Sequence, residues 1–422
     1  MNSKTRVEES RDAAGGASRR DCALDARDNR LALLSFVALS LISCETEYSY
    51  TAVTTEAVDI HDVVECAFEE TTEGWEQYTC VPVFSNKDPG VQEWEADGVG
   101  SFDIVQREIF GAPFYQLWYS GVGGATASSG QEIGYAVSMD GVGWTRHPWN
   151  PVLTRGTTPG SFDRDDAQVG CVAFDGDAGV FHLWYTGTNG TGIGTTFGHA
   201  TSRDGVIWDK DLLNPLDPFE DTDSALSRVW GCDALYEAGA FHFWVGGLTR
   251  AGSNLNTAAY DIGYLRTVDG ANFSGAGDVV LSHSGPNSGA FDAEGVHRPS
   301  VFTFGDEDSD EDRYWMLYAG YETVTASQPS PSGLIFISTD GEQLGMASSP
   351  TPDAGWTKLF DGEPVPLDFS GEQTADAPRA FFINGRLHVF FNDTFYDPID
   401  GTEVSGIGLG ISPFPVVAEE AG

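Results

Sequence analysis

The sequence predicts an all-β chain built as a five-bladed β-propeller, with four-stranded blades and a ring closed by an N-terminal strand that completes the last blade. Three observations carry that expectation. An aromatic strand signal recurs five times, as LWYSG at Leu117, LWYTG at Leu183, FWVGG at Phe243, MLYAG at Met316 and VFFND at Val389. A turn motif recurs beside it, in IGYAVSMDGVGW (133–144), FGHATSRDGVIW (197–208) and IGYLRTVDGANF (262–273), with LIFISTDG ending at Gly341 as a weaker echo. Almost no segment sustains helical periodicity, and repetition every 60–73 residues means stacked copies of one supersecondary unit.

The elements follow in a fixed order. The first strand of a unit is short and apolar: CVAF at Cys171, CDAL at Cys232, PSVF at Pro299, PRAF at Pro378. A turn leads from it to the aromatic strand, and Asn384-Gly385 is the strongest of these hairpin signals. The third strand is IGYAVS or its copy. In the SMDG corner, Asp140 can accept backbone N–H bonds and Gly141 can take the positive φ that closes the turn. The fourth strand starts near Trp144, Trp208, Phe273 or Trp356, where a large ring can pack between neighbouring units. NPVL at Asn150 then follows, with NPLD at Asn214, DVVL at Asp278 and EPVP at Glu363 in its place in later units. The last copy stops after GIGLGIS (406–412), short of a fourth strand, while EGWEQYTCVPVF (73–84) is a fourth strand with nothing before it. Pairing the two closes the ring and removes an exposed sheet edge. The chain therefore divides into an address segment at 1–43, a tether at 44–72 and the propeller at 73–416.

The 422 residues carry 64 Asp and Glu against 22 Lys and Arg, a formal charge of −42. That balance excludes nucleic acid as a partner, because phosphate needs cations opposite it. The run DEDSDED (306–312) reads as a solvated hairpin loop, with structural calcium the alternative; its spacing matches no calcium loop. No cofactor motif, phosphate loop or Ser-His-Asp arrangement is present.

Arginines at 19, 20, 27 and 30 precede the apolar stretch 31–42, too short for a comfortable membrane span. The stretch ends in Leu41-Ile42-Ser43-Cys44, which resembles the bacterial lipobox. That resemblance implies export, lipidation of Cys44 and a monomer held at the cell envelope through its lipid, stable with several acyl chains. Cys22 leaves with the address segment. Cys66, Cys80, Cys171 and Cys232 remain, an even number in an oxidising compartment. Cys66 and Cys80 lie 14 residues apart near the closing strand and are expected to pair. Cys171 and Cys232 stand at matching places in neighbouring inner strands and form the second expected pair. No CxxC pair or Cys/His cluster points to zinc.

The repeats igYAvSxDGxxW, NPVL, GSFD and lWYtG resemble the five-bladed propellers of the arabinanase/levansucrase/invertase superfamily, which includes glycoside hydrolase families 32, 43 and 130. The resemblance implies a carbohydrate in a funnel on the propeller axis and acids on the inner strands of the first three blades. Asp103 in GSFD lies close to the first acid. Trp230-Gly231-Cys232-Asp233 stands where the fructan-hydrolysing branch has Trp-Glu-Cys-Pro, so Gly replaces the acid. Val169-Gly170-Cys171 stands in place of Arg-Asp-Pro. SFD recurs at Asp163 and AFD at Asp292, which marks Asp103 equally as a loop residue. Glycoside hydrolysis needs two carboxyl groups flanking one bond. Asp103, Asp166 and Asp233 are the catalytic candidates, with Glu294 and Asp376 as further acids. Arg228, Trp230, His297, Arg298 and Asp376 are the candidates for contacting a sugar, within a rim that also includes Gln168 and Arg379. Two functions stay open: a surface-anchored glycoside hydrolase, or a non-catalytic carbohydrate-binding or structural propeller.

Overall fold

The computed structural model describes residues 68–70, 76–78 and 82–412, except 124–129, 190–195, 218–225, 250–259, 305–312, 327–336, 341, 366–375, 384–385 and 397–402. Among the described residues the strands form five four-stranded antiparallel units, each running from the centre outward. The first is Gly98–Ile109, Ala112–Val122, Glu132–Ser138 and Thr145–Arg146. The second is Asp166–Asp175, Val180–Thr188, Thr196–Ser202 and Asp209–Lys210. The third is Leu226–Glu237, Ala240–Thr249, Tyr260–Thr267 and Phe273–Leu281. The fourth is Gly295–Thr303, Tyr314–Tyr321, Gln343–Ser349 and Thr357–Lys358, and only the pair Tyr260 and Gly295 links its sheet to the third.

The fifth unit takes Asp376–Ile383, Arg386–Tyr396 and Glu403–Ile411 from the end of the chain. Its outer edge is the N-terminal segment, with Gln77 opposite Gly410 and Phe84 opposite Ile407. Ring closure by the N-terminal segment, through Glu76–Tyr78 and Phe84–Ser85, is thus as expected, and Phe68–Glu70 adds one more strand beyond Glu76–Tyr78. The five inner strands touch one another in cyclic order, the last meeting the first. One expectation fails: LIFISTDG is not a copy of the turn motif. Its Ile337–Asp340 pairs with Thr323–Ala326 in a side hairpin. The third strand of the fourth unit is instead Gln343–Ser349, and its corner is closed around Ser349 Oγ, whose single O–H lies within reach of the Thr351 and Ala354 carbonyls.

The recurring corner is built three times in one way. Asp140 Oδ1 accepts from the N–H groups of Val142 and Gly143, both at 2.9 Å, and Ser138 Oγ accepts from Gly141. Asp204 with Ser202, and Asp269 with Thr267, repeat the pattern. Each corner also receives a ring from the preceding unit. Trp118 Nε1 donates to the Gly205 carbonyl at 2.8 Å, Trp184 to Gly270 at 2.7 Å and Trp244 to Pro352 at 3.0 Å. Phe390 of the last unit stands against Gly141 of the first, which carries the seam around the closure. At Gly141 and Gly205 the corner glycine therefore answers two demands, a φ near +80° and room for that ring; at Gly270 the room is taken by His199 and His182. Trp144, Trp208 and Trp356 pack edge-on against the same incoming rings, as a ring between units should.

A second repeated device precedes three of the inner strands. Trp94-Glu95, Phe162-Asp163 and Phe291-Asp292 each place an aromatic ring on the tyrosine of the second strand, Tyr119, Tyr185 or Tyr318. The acid accepts from that tyrosine and from a base on the fourth strand, in the pairs Glu95–Arg146 at 3.0 Å, Asp163–Lys210 at 2.5 Å and Asp292–Lys358 at 2.6 Å. Burial and the neighbouring carboxylate push all three phenols far above their ordinary range, so each O–H stays a donor. The counterpart of Asp163 and Asp292 is consequently Glu95, and not Asp103.

The corner gives a direct test. Gly239 sits at φ 78° with open space around it, while a Cβ on Gly205 would stand 2.7 Å from Trp118 Cζ2. Gly239→Ala should cost about 1–3 kcal/mol for the left-handed backbone alone. Gly205→Ala should cost measurably more in urea unfolding, because the Trp118 seam must also shift.

Candidate functional site

The axis of the propeller is set by one position in each inner strand. The residues opposite Trp118, Trp184, Trp244, Leu317 and Phe390 are Asp103, Cys171, Asp233, Ser300 and Arg379. All five are buried. A β-bulge precedes each of them, which turns the strand and aims the side chain across the seam to the next unit.

These side chains clasp the ring unit by unit. Asp103 Oδ2 accepts from Val172 N–H at 2.5 Å, joining the first unit to the second. Cys171 and Cys232 form a disulfide, with Cα atoms 5.5 Å apart, joining the second to the third. Asp233 Oδ2 accepts from Val301 N–H at 2.5 Å, and Ser300 Oγ accepts from Ala380 N–H at 2.9 Å. Arg379 Nε donates to Asp103 Oδ1 at 2.5 Å and closes the circle. The disulfide is as expected, although its cysteines are one residue out of register: Cys232 lies opposite Val245, one place before the axial position.

Arg379 does more than close the circle. Its remaining N–H groups reach the carbonyls of Gly170, Cys232, Pro299 and Pro378 at 2.9–3.2 Å. With Asp103, these acceptors come from all five units, so one guanidinium plugs the axis. Two carboxylates, Asp103 and Asp233, face this single buried cation. Only Asp103 touches it. Burial, with the Asp103 charge adding to it and Arg379 opposing, pushes Asp233 up to about 6.

This environment corrects two of the catalytic candidates. Both oxygens of Asp103 are taken, by Ile104 and Val172 N–H and by Arg379, and the residue is 2% exposed. Asp233 is likewise held by Ala234 and Val301 N–H. Neither carboxylate faces a space where a glycosidic bond could lie. Both are structural clasps, because only a bonded carboxylate can be buried at that depth. The third candidate, Asp166, stands at the start of its strand and is half-buried, accepting from Gln131 N–H at 2.9 Å and from Thr188 Oγ1 at 2.6 Å.

The end of the axis where the inner strands begin gathers the other candidates. Gln168, Trp230, His297 and Asp376 occupy equivalent places on four of these strands, each three residues before the axial position. His297 is fully buried, with Nε2 3.3 Å from Glu342 Oε1, and so is closed off from a ligand at the rim. Arg298 is half-buried beside it. Glu294 is half-buried and its N–H donates to the Tyr321 carbonyl. Arg228, Trp230 and Asp376 lie in the inner strands by their backbone; their side chains fall outside the described residues, as do Cys44, Cys66, Cys80 and the 306–312 run. Sequence reasoning missed Glu342, which no motif marks. It also missed the axial role of Arg379, whose one signal is an arginine inside an otherwise apolar strand. Among the described residues no group of three metal-ligating side chains converges.

No protein-family model matches the chain, and no curated protein sequence matches it. Solved structures do. A glycoside hydrolase superposes with a TM-score of 0.52 at 15% identity, covering 74% of this chain and 87% of its own. The β-1,2-mannobiose phosphorylase of Listeria innocua gives 0.50 at 13% identity, covering 79% and 95%. A member of the GH130 family of mannoside phosphorylases, which contains glycoside hydrolases that target β-1,2 mannosidic linkages in Candida mannan, gives 0.50 at 16% identity, covering 82% and 95%. The chain therefore has the propeller fold of these carbohydrate-active proteins.

Two measurements check the axis. Arg379→Met leaves Asp103 buried without its cation and should lower the unfolding free energy by about 3–5 kcal/mol, read by denaturant titration. The raised folded pKa of Asp233 means the native state binds more protons than the unfolded state between about 6 and 3.8. The contribution of this group to stability therefore rises as pH falls through that window and is lost above it. Melting temperatures from pH 7.5 to 4.5 should show that increment in the wild type, and a correspondingly smaller one in Asp233→Asn.

Proposed function

We propose that the protein is a carbohydrate-acting propeller that takes an oligo- or polysaccharide at the strand-start end of its axis. The observation that supports this most directly is the plugged axis. Arg379 closes the centre, and on this reading the polar residues that the inner strands carry on its strand-start side serve as the floor for the sugar. A sugar needs such a floor of converging hydrogen-bonding groups, held by a scaffold that does not reorganise on binding. The fold shared with glycoside hydrolases and a mannobiose phosphorylase supports the same substrate class. We read the chain as exported and anchored at the cell envelope through Cys44, on the lipobox alone.

Recognition is the reading the geometry favours over hydrolysis. Hydrolysis asks for two carboxyl groups flanking one bond, and two of the three acids at the expected places are sealed into the axis. Asp166 is the carboxylate best placed to meet a ligand. Calorimetric titration with mannan, arabinan, xylan, fructan and pectic oligosaccharides should detect binding to at least one class, weakened in Asp166→Asn at an unchanged melting temperature. Release of reducing ends, falling on the order of 10²-fold or more in Asp166→Asn, would instead establish a hydrolase with Asp166 in its machinery. Neither binding nor hydrolysis across the set would overturn the carbohydrate reading.

A further inference from the structure

Successive units are joined by a segment that runs from the outermost strand of one to the start of the next inner strand. The first and third of these crossings begin on the same device. After Thr145–Arg146, Arg155 donates its N–H to Glu132 Oε1 at 3.3 Å and holds its Nε 3.7 Å from the same oxygen. After Phe273–Leu281, His283 donates its N–H to Asp261 Oδ1 at 2.9 Å and places ring Nδ1 2.7 Å from the same oxygen. The two carboxylates match as well: Glu132 lies opposite Gly121 and Asp261 opposite Gly247, at the start of the third strand. The crossings differ in the cation. A guanidinium keeps its charge up to about pH 12, whereas an imidazole titrates near neutrality.

The third crossing is fastened at its neck. Residues 286–289 are exposed, and a Cβ on Gly285 or Gly289 would meet nothing within 4 Å. At the neck, Ser284 N–H donates to the Asp292 carbonyl at 3.2 Å and Lys358 Nζ donates to Ser284 Oγ at 3.0 Å, beside the His283–Asp261 contact. Asp261 also adjoins Tyr260, whose pairing with Gly295 links the sheets of the third and fourth units. The charged groups that face His283 are Asp261 on the third strand of its own unit, Lys358 on the outer strand of the next, and Asp292 ahead of the next inner strand. The hydrogen bond to Asp261 raises the imidazole above its ordinary 6.5. Burial opposes that, the Asp261 charge adds to it, and Lys358 and Asp292 act in opposite directions. With the folded value raised, the contribution of this contact is complete below 6.5 and is lost as pH rises through the folded value.

We propose that this crossing is a pH-tuned strap, clamped at its neck by the His283–Asp261 ion pair in acid and loosened over residues 282–290 as that pair loses its charge above neutrality. The imidazolium donates to the carboxylate as a charged group. Once neutral, the ring either makes the same bond without the charge or turns a lone pair toward the carboxylate, and both contacts are weaker. The strap needs no ligand, so it stands apart from the carbohydrate reading.

Hydrogen exchange on the full chain tests it, from about pH 5.5 to 8.5 and corrected for the intrinsic rate at each pH. As pH rises, protection of residues 282–290 should fall about threefold to tenfold relative to residues 154–163, whose Arg155 keeps its charge. That is the scale separating a charged hydrogen bond from a neutral one. His283→Arg gives the third crossing the cation of the first and should hold protection level across the range. His283→Gln, a neutral donor throughout, should show the alkaline level at every pH. The Arg variant guards the result against a Gln variant that folds poorly. No fall in the wild type, or an equal fall in both segments, would overturn the strap. A fall that persists in His283→Arg would overturn it too, because the titrating group would then lie elsewhere.

Discussion

A single buried guanidinium holds the centre of this molecule. Arg379 donates to Asp103 and to the carbonyls of Gly170, Cys232, Pro299 and Pro378, one acceptor from each unit of the ring. A propeller needs something at its axis, because inner strands converge there with unpaired polar groups aimed inward. An apolar plug would leave those carbonyls unsatisfied and buried. An arginine satisfies them from one point, and its charge is then balanced by Asp103. Removing either partner leaves the other charged and dry, which is why the pair is strict even where a buried ion pair adds little net stability.

Around that centre the ring is joined at two radii. Near the axis, each inner strand reaches the next through one side chain, and four chemistries serve: a carboxylate, a disulfide, a hydroxyl and a guanidinium. Farther out, the ring on the second strand of one unit inserts into the Asp-Gly corner of the next, as Trp118 does at Gly205 and Trp184 at Gly270. The inner joints are polar and directional, so they fix register. The outer joints bury large rings, so they contribute area. At four of the five seams the two kinds act together.

This economy has a consequence for function. Positions that look catalytic in the sequence, acids on inner strands near an axis, are the positions a closed ring recruits for its own clasps. Asp103 and Asp233 are held in that way.

The repeat, and with it the strand order, ring closure and corner chemistry, was legible from the sequence by itself. These are local or periodic properties: Asp140 closes a turn with its own neighbours, and an apolar strand next to an aromatic one reads the same wherever it occurs. The disulfide was legible too, since Cys171 and Cys232 lie in neighbouring copies of one strand. The echo at LIFISTDG misled because a short β-like run followed by Asp-Gly is common to any hairpin, and only pairing shows which strand it joins. The roles of Asp103, Asp233, Arg379 and Glu342 were decided by tertiary structure alone. Asp103 and Arg379 are 276 residues apart and meet only because the ring closes. Whether a carboxylate is a clasp or a catalyst depends on burial and on which donors surround it, and those are properties of the closed ring that no local pattern encodes.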